Sequence, residues 1–102
     1  MNPELDKLPF EMQRTFLRIA QEALANVHRH ADASRALVRG RIVADQVHLV
    51  VRDNGRGLRH KQNTTAGRGI RGMEDRARRW GGALRIRSGH KGTNVHAVWP
   101  IR

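Results

Sequence analysis

"QVHLVVRDNGRGL" occupies residues 46–58, and the reading of its second half decides the fold. Val47, Leu49 and Val51 alternate with His48, Val50 and Arg52, the period of a half-buried strand. That strand runs into Asp53-Asn54-Gly55-Arg56-Gly57. Asn-Gly is a leading hairpin-turn dipeptide, so one reading places a tight turn here and a partner strand directly after it. The residues that follow, through "HKQNTTAGRG", hold almost no apolar side chains and offer no such strand. The other reading ends the strand at Asp53 and turns its carboxylate into a pocket, where the glycines let a ligand come close.

Working outward, "RALVRGRIVADQVHLVVRD" reads as two strands joined at "ADQ", an antiparallel hairpin. Upstream, Phe16, Ala20, Ala23, Val27 and Ala31 follow the three-four spacing of one helical face, with Leu17 and Leu24 beside it. Pro9 is placed to open this helix, which is expected over residues 9 to 31. Downstream, "NGRGLRHKQNTTAGRG" reads as a long polar loop. "IRGMEDRARRWGG" reads as a second helix, acidic near its start, basic near its end and stopped by Gly81 and Gly82. "ALRIRS" and "TNVHAVWP" are two more strands, joined at "GHKG". The expected fold is an α+β two-layer sandwich, with a mixed, mostly antiparallel sheet and the helices on one face.

The chain has 102 residues, read as a single domain over 1–102. No apolar run approaches the roughly 20 residues of a membrane span, and no secretory signal stands at the start. With no cysteine, disulfides and thiolate metal sites are excluded, and a cytoplasmic setting is expected. The net charge of +11, from 20 Lys plus Arg against 9 Asp plus Glu, attracts polyanions without naming one.

Three groups of residues could carry chemistry. On the first helix Glu22, Asn26 and His30 follow one another at four-residue steps, with Arg29 three residues from Asn26. A carboxylate and an amide oxygen one turn apart can hold a hard cation such as Mg²⁺, and a nearby cation can neutralise phosphate. The plainer reading is a solvated helix face. Asp53, ionised, only accepts hydrogen bonds, which suits a donor such as the exocyclic amine of adenine. Gly67, Gly69 and Gly72 have the Gly-x-Gly-x-x-Gly spacing. A dinucleotide fold is rejected because a polar loop precedes them and no acid follows about 20 residues on. Backbone N–H groups at a helix start still attract phosphate, and the alternative is a flexible glycine-rich loop. The six histidines are scattered and give no zinc spacing.

The order of these signals is distinctive: a helix with Glu-x-x-x-Asn, a strand ending in Asp-x-Gly-x-Gly, a polar loop, Gly-x-Gly-x-x-Gly-Met, then Gly-Thr opening a strand. It resembles the ATP-binding catalytic domain of sensor histidine kinases, of the Bergerat fold shared by gyrase, Hsp90 and MutL. "RIAQEALANVHRHADAS" is similar to the subfamily that partners NarL-type regulators. The resemblance implies Glu22 as the acid that polarises the attacking group, Asn26 as the Mg²⁺ ligand, Arg29 as a phosphate contact and His30 as a pocket-lining residue. It implies Asp53 for the adenine amine, Gly55 and Gly57 for the pocket floor, Gly67, Gly69 and Gly72 at the edge of an ATP lid, and Thr93 near the adenine. The lid would run from about Leu58 to Ala66. Where the family often has Gly-x-Gly-Thr, this chain has His90-Lys91-Gly92-Thr93.

The implied cofactors are ATP and Mg²⁺. The γ-phosphate would pass to a histidine on a dimerisation domain outside this chain, and then to a response regulator. No nucleic acid or direct membrane contact is expected of this stretch, whatever anchors the parent kinase. Two alternatives stand beside this reading: an anti-sigma-factor-like serine kinase in the same fold, and a basic nucleic-acid-binding module. Aromatic residues are only 4% of the chain, which leaves the latter little for base stacking.

Overall fold

The two strands that alternate most regularly form the middle of the sheet. In the computed structural model, which describes residues 3–26, 34–55, 64–89 and 92–101, β1 (Ala36–Val43) and β2 (Gln46–Asp53) make the expected hairpin. α1 is Phe10–Asn26, preceded by a short 3₁₀ turn at Pro3–Lys7, and α2 is Thr64–Arg79. β3 (Ala83–Gly89) and β4 (Gly92–Pro100) complete a four-stranded sheet in the order β1-β2-β4-β3, and its three pairings are all antiparallel.

Strand alternation sorts the sheet into two faces. Val47, Leu49 and Val51 of β2, with Val95, Ala97 and Trp99 of β4, are buried beneath the helices. Met12, Phe16, Ile19, Ala20 and Ala23 of α1, with Met73 and Ala77 of α2, close the core from above. Each of the larger of these side chains contributes roughly 1.5–3 kcal/mol by leaving water. Phe16 reaches the middle of β1 because residue 40 is glycine; a Cβ there would overlap its ring. Leu17 and Leu24, beside the buried stripe, are 53% and 38% exposed. The buried arc of α1 centres on Ile19, which turns both leucines outward.

The ends of the elements have local causes. The Pro9 carbonyl accepts from Met12 N at 2.9 Å and Gln13 N at 3.1 Å, so Pro9 opens α1 from just outside it. The β1–β2 turn is Ala44-Asp45, both at positive φ (51° and 60°), the twist that two-residue hairpins require. α2 ends where its second boundary was expected: Gly81 has φ 82°, Gly81 N donates to Arg78 O, and Gly82 N donates to Ala77 O. Its start differs from the sequence reading. The helix begins at Thr64 instead of about residue 70, so Gly67 and Gly69 lie within its first two turns and residues 64–66, expected in the polar loop, are helical.

Two contacts fix the helix pair as antiparallel. Trp80 Nε1, just past α2, donates to Thr15 Oγ1 at 2.8 Å, and Thr15 in turn donates to the Glu11 carbonyl at 3.1 Å. At the other end Gly69 lies against Glu22. Gly82 packs against Trp99, so the Trp80 end of the helix pair sits over the Trp99 end of β4. The C-terminal turn of α1 and the start of α2 therefore lie over the opposite end, where β2 finishes at Asp53 and β4 begins at Gly92.

Candidate nucleotide-binding site

Asp53 continues the helix-facing set of β2, two residues past Val51. Its Oδ1 accepts from Gly55 N at 2.8 Å and from Thr93 N at 3.3 Å. The first bond is the turn that the sequence suggests. The second reaches across to β4, and the next described element is a helix, so the local turn does not open a hairpin. One carboxylate oxygen thus holds the loop, while the other, Oδ2, meets no donor among the described residues.

Thr93 is buried at 7% exposure and its hydroxyl lies 3.2 Å from Ser88 Oγ. Gly92 just before it has φ 139°, and a Cβ there would overlap the Asp53 carbonyl oxygen. Glycine at 92 lets β4 start directly against the end of β2. Asp53 and Thr93 also border an open cleft of about 430 Å³ at this end of the sheet, most of which opens on the face away from the helices, between Arg52, Asn94 and Arg87. Sequence reasoning passed over Arg52, Arg87 and Ser88; strand register sets both arginines opposite Asn94 and Ser88 opposite Thr93. Asn54 was also missed; its Oδ1 accepts from Ser34 N at 3.1 Å and Arg35 N at 2.9 Å, clamping the start of β1 to the end of β2.

Asn26 does not belong to a solvated helix face. It is 6% exposed, on the side of α1 that carries Ala23 and Ile19, and its Oδ1 is buried with no partner among the described residues. An orphan amide oxygen in a buried place costs about 1–3 kcal/mol unless something meets it. A hard cation with oxygen ligands is one such partner, so the donor fits Mg²⁺. Glu22, one turn earlier, is half-buried, with its carboxylate where a Cβ at residue 69 would stand. A methyl group at 69 would push that carboxylate, the end of a flexible side chain, aside. Gly72 is half-buried one turn on, and its carbonyl accepts from the Arg76 guanidinium at 3.3 Å. Gly67 lies in the first turn of α2, whose N–H groups lack helical partners.

The structure thus brings Glu22 to Gly69, and Asp53 to Gly55 and Thr93. Among the described contacts none joins the Asn26 side chain to Asp53. They share one end of the molecule: Asn26 is ten residues beyond Phe16, about 15 Å along a helix, and Asp53 is four residues beyond Leu49, about 13 Å along a strand. Phe16 and Leu49 meet at the same level through Gly40. Arg29, His30, Gly57 and most of the expected lid lie outside the described residues.

Comparison with known proteins places this arrangement. The family model for histidine kinase-, DNA gyrase B- and HSP90-like ATPases matches residues 11–102. The sensor histidine kinase LiaS of Bacillus subtilis is 40% identical over 85 residues, 82% of this chain and 24% of LiaS. The signal transduction histidine-protein kinase/phosphatase UhpB of Salmonella typhimurium is 38% identical over 96 residues, 90% of this chain and 18% of UhpB. The histidine kinase domain of the Erythrobacter litoralis EL346 blue-light activated histidine kinase superposes with a TM-score of 0.73 at 25% identity, covering 91% of this chain and 46% of that one. The chain therefore spans under a third of the full-length relatives it matches. With its motifs in order on a matching two-layer fold, the chain belongs to the family of histidine kinase-, DNA gyrase B- and HSP90-like ATPases.

Proposed function

We propose that the chain binds Mg²⁺-ATP and serves as the catalytic domain of a sensor histidine kinase, handing the γ-phosphoryl group to a histidine on a dimerisation domain, from which it passes to a response regulator. The observation that carries this is Asp53, which commits Oδ1 to Gly55 and Thr93 and keeps Oδ2 for a ligand donor. In this reading Oδ2 accepts from the adenine amine, and Gly55 and Gly57 leave room for the ring. Thr93, held by Ser88, lines the same pocket.

Asn26 Oδ1 would hold Mg²⁺, and the ion would supply positive charge to offset that of the phosphates. Glu22 orients the attacking group. The first turn of α2, with Gly67, presents backbone N–H groups to the phosphates, and Arg29 and His30 are assigned to the same end. The chain's contribution is positioning and charge stabilisation, since phosphoryl transfer asks little covalent chemistry of the protein. The relatives are much longer than this chain, which supports an acceptor histidine on another segment.

The test is a calorimetric titration with ATP, with and without Mg²⁺, on the chain and on Asn26→Leu. The expected result is ATP binding that Mg²⁺ strengthens in the wild type and leaves unchanged in the variant. Absence of ATP binding to the folded chain refutes the reading. Equal Mg²⁺ enhancement in both proteins removes Asn26 from the metal site.

A further inference from the structure

The sheet face turned away from the helices has its own pattern, unused by the nucleotide site. Register places its residues in rows. Arg39 lies opposite Val50, Val50 opposite His96, and His96 opposite Arg85. The next row is Arg41, His48, Val98 and Ala83. On the other side Arg52 and Asn94 lead to Arg87. The outer strands therefore carry arginines along both margins, Arg39 and Arg41 on β1 and Arg85 and Arg87 on β3. Between them runs a half-buried floor of Val50, Val98 and the hydrogen-bonded pair His48–His96, Nδ1 to Nε2 at 3.0 Å.

No strand residue on this face is acidic, and no described carboxylate pairs with these arginines. A groove of about 390 Å³ runs along the β1 side of the floor, between Arg39, Arg41 and His96. Leu37 and Val43, at its two ends, are 48% and 44% exposed. Burial, with His48 and Arg85 adding to it, holds His96 below its ordinary pKa of 6.5, so this part of the floor is uncharged at neutral pH.

The two arginine margins are three strand spacings apart, about 14 Å. An α-helix with its side chains is about 10–12 Å across. We propose that this face docks an amphipathic helix of a partner protein, with an apolar seam on Val50 and Val98 and acidic residues on both flanks reaching the arginines. Duplex nucleic acid would satisfy the arginines but leave the apolar floor and exposed Leu37 and Val43 without a partner. A bilayer would need apolar groups projecting beyond the charges, whereas Val50 and Val98, the centre of the floor, are half-buried.

The probe is a lactam-stapled helical peptide with leucine at i, i+4 and i+7 and glutamate on both flanks. Binding is read by fluorescence anisotropy and by amide shifts of the whole chain. A scrambled peptide of the same composition, a 20-base-pair DNA duplex and vesicles containing phosphatidylserine are run alongside. The expected result is saturable binding of the ordered helix, with shifts centred on Val50, His96 and Val98. Arg39→Glu with Arg85→Glu, one from each margin, should weaken it by about tenfold or more. ATP binding, on the opposite face, reports that this variant is folded; Arg41→Gln with Arg85→Gln replaces it if charge reversal prevents folding. Equal binding of the scrambled peptide, no loss in the variant, or tighter capture of duplex or vesicles by the same arginines overturns the proposal.

Discussion

Replacing Asp53 by asparagine separates the two tasks of its carboxylate. The side chain keeps its shape. With its remaining oxygen in the place of Oδ1, it still accepts from Gly55 N and Thr93 N, the bonds now measured at 2.8 and 3.3 Å. The position of Oδ2 becomes an NH₂ group, a donor facing the donor that the proposal assigns to adenine. A charge-assisted hydrogen bond in a sheltered place contributes roughly 1.5–3 kcal/mol, which is about a 10- to 150-fold change in Kd. Donor-to-donor contact pushes the result toward the upper end. Thermal unfolding of Asp53→Asn should stay within a few degrees of wild type, because the loop bonds survive. The assay is calorimetric titration with ATP and, as a control, with a purine nucleotide lacking the 6-amine. Wild type should discriminate between the two and Asp53→Asn should not. Equal ATP affinity in variant and wild type, with both folded, refutes the assignment of Oδ2.

Other expectations follow from the glycines and from the sheet face. Gly92→Ala places a Cβ against the Asp53 carbonyl at φ 139°; at roughly 1–3 kcal/mol for a strained backbone it should lower Tm by about 5–15 °C in a melting curve. Gly69→Ala should leave Tm unchanged or raise it, because alanine gains up to about 1 kcal/mol of helix propensity. The same change moves the Glu22 carboxylate aside, so ATP turnover measured with the acceptor domain supplied should fall while ATP affinity holds. For His96, a pKa lowered in the folded state means the unfolded chain binds the proton first as pH falls. Stability is thus fully present above about pH 6.5 and declines as pH drops from there to the folded value. Urea midpoints at several pH values should show this slope in wild type, and His96→Gln should flatten it.

Much of the layout was legible because it rests on short-range pattern. Period-two alternation gave β2 and β4, and the Gly81-Gly82 stop marked the end of α2. The start of α2 was not, because "TTAGRG" has neither apolar period nor helix propensity. Tertiary context overrides propensity there, with α2 packed along α1 and Gly69 against Glu22. The burial of Asn26 was hidden for a related reason. Polar residues at four-residue steps look alike whether water or core faces them, and only the packing of α1 on the sheet decides. The ordered motif series identified the family where each motif alone left alternatives. The arginine margins of the outer face could not be seen in the sequence. They form only when register sets Arg39 and Arg85 in one row across four strands.

The clasp between the two helices has unequal ends. At one, the Trp80 indole is bolted to Thr15 and the chain turns back beneath Trp99. At the other, glycine lies against the Glu22 carboxylate. The deep anchor thus stands far from the cargo, and glycine, the residue with the freest backbone, stands beside it. Deuterium uptake should therefore rise from residue 79 back toward residue 64, and a bound nucleotide should quieten that gradient from its loose end.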